Sequence, residues 1–160
     1  MGTVNHRYTA DGTYLVTLHA MTPDGRTHTV TSQVKVETHD VSITRFDVPG
    51  SAREGETKSI KVHVGNTRYP EKVTVTLAKN SGDQWVQVGS LTLDVPAHPW
   101  HTVQFPFAYT FTPQDAVAGK VTFRAQAQLP YPTRDALSLD NEVISLATKV
   151  KPRPSGLQAV

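Results

Sequence analysis

Apolar and polar residues alternate with period two through almost every hydrophobic stretch of this chain. Tyr14, Val16, Leu18 and Ala20 alternate with Leu15, Thr17 and His19, the pattern of a half-buried strand. Asp11-Gly12 marks a turn into it. Thr22-Pro23-Asp24-Gly25 is a second turn signal, and RTHTVTSQVKV at 26–36 then alternates again. The two runs predict a hairpin with one apolar face made of Tyr14, Val16, Leu18, Val30, Val34 and Val36. Glu37-Thr38-His39-Asp40 is a polar break too short for a flexible tether.

A longer series of strands follows. VSITRFDV places Val41 and Ile43 in one parity and Phe46 and Val48 in the other, which predicts a bulge or a change of sheet near Thr44-Arg45. KSIKVHV at 58–64, KVTVTLAK at 72–79, QWVQV after the Asn80-Ser81-Gly82-Asp83 turn, and LTLDV at 91–95 each read as strands. TVQFPFAYTF at 102–111 puts Val103, Phe105, Phe107, Tyr109 and Phe111 on one face. Its Pro106 fits only an edge or a bulge. KVTFRAQAQL at 120–129 and EVISLATKV at 142–150 complete the set. DAVAGK at 115–120 supports a single helical turn at most. Seven or eight strands in about 110 residues predict an all-β chain, an immunoglobulin-like antiparallel sandwich.

Gly12-Thr13-Tyr14-Leu15-Val16-Thr17-Leu18 echoes Gly119-Lys120-Val121-Thr122-Phe123-Arg124-Ala125. In both, a glycine enters an alternating strand and one further strand ends the unit. The organisation expected is therefore a partial sandwich-like unit over 1–37, a complete sandwich over 38–150, and a Pro-rich tail or linker over 151–160, KPRPSGLQAV. A unit of about 35 residues lies below the size that folds alone, so its apolar face needs cover. Three sources of cover are open: the chain is cut from a longer protein, a second copy pairs with it, or its N-terminal arm fits a larger assembly.

Composition narrows the classes. Hydrophobic residues make up 38% of the 160, enough for a packed core. Ten glycines and eleven prolines suit short strands and turns. The net charge of +2 is spread without a Lys/Arg run, which argues against nucleic acid as a partner. No run of about 18 apolar residues occurs, so membrane insertion is not expected. Cysteine is absent, which removes disulfides, thiolate metal sites and thiol nucleophiles. MGTVNHRYT lacks the layout of an export signal; either a signal lies upstream or export takes another route.

Two resemblances follow from these residues. His6, Tyr8, Gly12, Tyr14, Val16, Leu18 and the Asp24-Gly25 turn resemble the second half of a PKD domain over residues 4–37. Residues 40–150 resemble a CARDB-type, cell-adhesion-related sandwich. The carrying positions are Asp40-Val41, Gly55-Glu56-Thr57, Val64-Gly65-Asn66-Thr67, Gly119 and Asp140-Asn141-Glu142. The resemblance implies a non-catalytic surface module, and neither family supplies a ligand.

Candidate chemistry is sparse. His98-Pro99-Trp100-His101 places two imidazoles three apart, but a metal site needs a third ligand; a turn into a strand, with Trp100 as a lid on the sandwich end, is the favoured reading. His6, His19, His28, His39 and His63 are scattered. Asp135, Asp140, Asn141 and Glu142 crowd one loop and could bind calcium, yet lack the rhythm of a dedicated calcium loop. Capping and turn formation are favoured for them, and no cofactor is expected. Tyr69, Trp85, Trp100 and Tyr131 fall in or beside predicted loops. They are candidate sugar-stacking aromatics, weighed against simple packing of loop ends. No G-x-S-x-G, H-E-x-x-H or Gly-rich phosphate loop occurs, and no catalytic carboxylate pair stands out.

The reading is a non-enzymatic structural or adhesive module of a microbial surface or secreted protein, a spacer or assembly element. Its expected partners are other protein domains or copies of itself, with glycans as a further possibility. Two alternatives stay open: a virion decoration or fibre protein, and a carbohydrate-binding accessory domain of a secreted hydrolase.

Overall fold

A computed structural model describes residues 2–155. Two compact units, Met1–Thr38 and His39–Val160, make up the chain. The first is a two-stranded antiparallel sheet of β1 (Gly12–Met21) and β2 (Thr27–Val36). Its register sets Tyr14 opposite Val34, Val16 opposite Ser32, Leu18 opposite Val30 and Gly12 opposite Val36. Side chains at every second position share a face, so the six predicted apolar residues lie on one side of the hairpin. Leu18 is 60% exposed there, and Leu15 on the other side is 70% exposed. At one end, the Tyr8 ring lies 4.6 Å from that of Tyr14, and the Tyr14 hydroxyl donates to the Ala10 carbonyl at 2.7 Å.

The second unit stacks two main sheets. One has β3 (Val41–Asp47), β5 (Thr57–Asn66) and β8 (His98–Thr110) in the order β3-β5-β8. The other has β6 (Glu71–Ser81), β7 (Gln84–Val95), β10 (Phe123–Gln128) and β11 (Glu142–Ile144) in the order β11-β10-β6-β7. A third, small sheet joins β4 (Ser51–Arg53), β9 (Lys120–Val121) and β12 (Thr148–Lys151). All ladders are antiparallel except β4 with β12. The immunoglobulin-like sandwich expected from the alternation is therefore the observed architecture. Val62 and Val64 of β5, Val73 and Val75 of β6 and Phe105 of β8 are fully buried in one cluster. Ile60, Leu77, Phe111, Val121 and Phe123 build a second. The register shift between Ile43 and Arg45 is the bulge that the parity change signalled. Pro106 lies on β8, an edge strand, where a missing donor costs least.

Several expectations need correction. Residues 120–129 and 142–150 are not single strands. The first divides at Thr122, whose carbonyl accepts the Asn80 amide at 2.9 Å, and the second at Ser145–Ala147. Each passes from the small sheet to the large one or back, because alternation fixes burial and not the partner. QWVQV and LTLDV are instead one strand, β7. A bulge opposite Leu77–Ala78 reverses its parity and hides its continuity. Gly89 follows that bulge, and a Cβ there would come within 2.9 Å of the Phe107 ring. The HPWH motif is not a turn but the start of β8, bowed out where the register slips between Gly65 and Asn66. The helix is longer than one turn: α1 (Pro113–Ala118) starts ahead of the predicted segment. Thr112 and Asp115 close a reciprocal capping box on it, and Gly119 ends it at φ 80°. Of the predicted tail, Lys151 belongs to β12, and 156–160 lie outside the described residues.

Candidate functional site

One end of the sandwich gathers the chemistry. Asn66 faces Val41 on β3 and His98 on β8, and its side-chain amide donates to the Val95 carbonyl at 3.1 Å. Glu71 faces Val95, and its carboxylate pairs with the His39 ring. The loop after β10 returns to this end. Asp135 bridges to His39, and the Ala136 amide donates to the His39 carbonyl at 2.8 Å. Both carboxylate oxygens of Asp135 accept backbone N–H groups, from Val41 and from Leu137, each at 2.8 Å. Asp135 is thus held rigidly between the entry to β3 and its own loop.

Asp40 and Asp140 are drawn in beside it. One oxygen from each of Asp40, Asp135 and Asp140 lies within 4.8 Å of the others. Asp140 and Asn141 sit on a short 3-10 turn, Ser138–Asn141. Burial, then the charges of Asp40 and Asp135, push the Asp140 carboxyl above its ordinary value. The crowded loop therefore contains a real acidic cluster, and Asp40 belongs to it although the chain pattern gave no hint of that. Glu142 is not part of the three-carboxylate cluster: it lies on β11, exposed, and accepts from Gln126 at 2.5 Å, although it lines the same cavity as Asp135 and Asn141.

Two depressions flank the cluster. Asp135, Asn141, Ser138 and Thr133 line a cavity of about 340 Å³. Asp40, Thr67, His98, Trp100 and Thr102 line a cleft of about 280 Å³. Trp100 is 86% exposed, so it is no lid on the sandwich. His98 and His101 contact each other, with their Nδ1 atoms 2.9 Å apart. The remaining candidate aromatics have different settings. Tyr69 is half-buried, its ring 5.5 Å from that of His39, and Tyr131 is 97% exposed. Trp85 lies in β7 near the Gly82 turn, at the other end of β6, with the Arg124 guanidinium 4.8 Å over its ring. A packing role through a cation–π contact accounts for it.

A second polar cluster escaped the sequence reading. Lys79 of β6, Tyr109 of β8 and Asp115 of α1 form a closed triad. Lys79 Nζ donates to Asp115 Oδ1 at 2.8 Å and to the Tyr109 hydroxyl at 2.7 Å, and that hydroxyl donates to Asp115 Oδ2 at 2.7 Å. The Thr112 amide donates to the same Oδ2 at 2.9 Å. Burial works to raise the Asp115 pKa, but hydrogen bonds from Lys79, Thr112 and Tyr109 outweigh it and the net direction is down. For Tyr109, burial dominates and raises the phenol. Every partner in this triad is satisfied internally, which is the arrangement of a structural anchor and not of a site awaiting substrate.

A family model described as the N-terminal glycosyl-hydrolase-114-associated domain matches residues 18–140. Among solved structures, a CARDB domain from Pyrococcus furiosus, in complex with di-metal ions, is 16% identical with a TM-score of 0.56. That match covers 74% of this chain and 94% of the other, and it supports the sandwich fold. Murine CRIg is 15% identical with a TM-score of 0.35, over 71% of this chain and 98% of the other. The PKD resemblance of residues 4–37 finds no counterpart among these matches. No curated protein matches. Among the described residues no helix is long and apolar enough to cross a membrane.

Proposed function

The chain belongs to the family of N-terminal glycosyl-hydrolase-114-associated domains, and from that premise we propose that it is a non-catalytic accessory module. It holds a neighbouring hydrolase domain in position within a secreted or surface protein. The observation that carries this reading is the family match over residues 18–140. The closed polar triad of the interior supports it, since Lys79, Tyr109 and Asp115 bond to one another and none of the three is left poised for a substrate. So does the hairpin, whose apolar face of Tyr14, Val16, Leu18, Val30, Val34 and Val36 is suited to contact with adjoining protein or a second copy. Adhesive and virion roles rest on fold likeness alone.

The test is a linker exchange in a polypeptide that carries this chain beside a hydrolase domain. Replacing the module by a Gly/Ser linker of equal length should leave kcat/KM on a short soluble substrate unchanged within about twofold. Turnover of an insoluble polymeric substrate of that hydrolase domain should fall. Loss of activity on the short substrate by orders of magnitude would place the module in the chemistry and overturn the reading.

A second reading, glycan binding, is favoured by Trp100. A fully presented indole beside a polar cleft offers a stacking face for a sugar ring. Trp100→Ala should abolish retardation in polysaccharide-containing gels while stability changes by less than about 0.5 kcal/mol. A wild-type chain that no polysaccharide retards removes this reading and leaves the positioning role intact.

A further inference from the structure

We propose that Asp40, Asp135, Asp140 and Asn141 form a calcium site at the loop end of the sandwich. Acidic residues crowd together on many surfaces without an ion, so the clustering of three carboxylates is not the argument by itself. The independent observation is Asn141. It is 8% exposed, and its Oδ1 has no hydrogen-bond partner. A buried amide oxygen left unpaired is costly and uncommon in native folds. Asn141 follows Asp140 on the 3-10 turn and lines the same cavity as Asp135. One oxygen of Asp40 and one of Asp140 are likewise buried without a partner. Two stretches far apart in sequence thus contribute unpaired oxygens, Asp40 at the entry to β3 and Asp140 with Asn141 on the 3-10 turn, and Asp135 adds a carboxylate already oriented by backbone amides.

The donor set selects the ion. All four candidates offer oxygen, three of them charged, which suits a hard cation. Oxygens on opposite sides of a calcium ion stand about 4.6–5.2 Å apart, since each lies at 2.3–2.6 Å from the metal. One oxygen from each of the three carboxylates lies within 4.8 Å of the others, inside the span of one such sphere. Asp135 is already oriented by the Val41 and Leu137 amides, and each of its oxygens keeps a lone pair for the metal. The adjoining cavity of about 340 Å³ leaves room for water to complete a coordination number of six to eight. Calcium would tie the entry to β3 to the stretch 135–141 and discharge the repulsion among Asp40, Asp135 and Asp140. This holds whether or not the module accompanies a hydrolase.

The experiment is a titration of the chelator-stripped chain with calcium chloride, followed by calorimetry and thermal unfolding, with magnesium chloride at equal ionic strength as the second arm. The wild-type chain should bind one calcium with Kd of about 10⁻⁴–10⁻³ M and melt at a higher temperature in millimolar calcium. Magnesium should act more weakly. Asp140→Asn should weaken calcium by roughly tenfold or more, and without calcium it should melt at or above the stripped wild type, because a repelled charge is gone. Asp40→Asn is the second variant, since it leaves the backbone bonds of Asp135 in place. Absence of calcium heat and of a melting shift in the wild type overturns the site. So does a calcium response that both variants retain in full.

Discussion

Asp115→Asn is expected to destabilise the sandwich by about 3 kcal/mol at neutral pH, because it leaves Lys79 buried without its counter-ion. The Lys79 side chain is 16% exposed and that of Asp115 is 6%, so solvent does little to replace the lost charge. The same carboxylate accepts from Tyr109 and from the Thr112 amide, and it therefore fixes α1 onto β6 and β8. The pH dependence gives a second readout. The folded-state pKa of Asp115 lies below its ordinary value, so its contribution is complete above the ordinary carboxylate range of about 4. It fades as pH falls through the depressed value. The stability gap between wild type and Asp115→Asn, measured by urea unfolding, should be widest near pH 7 and should shrink below about pH 4. A gap that is constant with pH would mean that the charge of Asp115 is not what anchors the helix.

Phe105→Ala carries the largest expected cost, about 3–5 kcal/mol. Phe105 has no exposed surface and packs among Val62, Val64, Val73, Val75 and Val95 from both main sheets. Truncation opens a void that β-branched neighbours, stiff at χ1, fill poorly. Against a total stability of about 5–15 kcal/mol, that loss moves the urea midpoint strongly while leaving the slope unchanged. A loss below about 1 kcal/mol would show that the two sheets do not share this core.

The fold was legible because each buried strand writes its own signal. Ile60, Val62 and Val64 alternate with polar residues, as do Val73, Val75 and Leu77, and all are buried. What alternation does not encode is the neighbour. Val121 and Phe123 share parity and burial, yet β9 pairs with β12 and β10 with β6, so the break at Thr122 left no mark in the pattern. The bulge in β7 had the opposite effect, making one strand look like two.

The candidate site was half legible for the same reason. Asp135, Asp140 and Asn141 are close in sequence, and turn chemistry alone accounts for acidic residues in a loop. Asp40 reaches them only through the bridge between His39 and Asp135 and the Val41 amide, which are tertiary events. Lys79, Tyr109 and Asp115 come from three separate elements, and no spacing rule joins them. Trp100 shows the converse: its aromatic character was plain, while its exposure depended on a register slip in β8.

The non-catalytic role is tested most directly by the release of new reducing ends when the purified chain is incubated alone with a panel of polysaccharides in millimolar calcium. The account predicts no turnover above buffer for any of them. Sustained turnover that copurifies with the folded chain and is lost on its unfolding would contradict it.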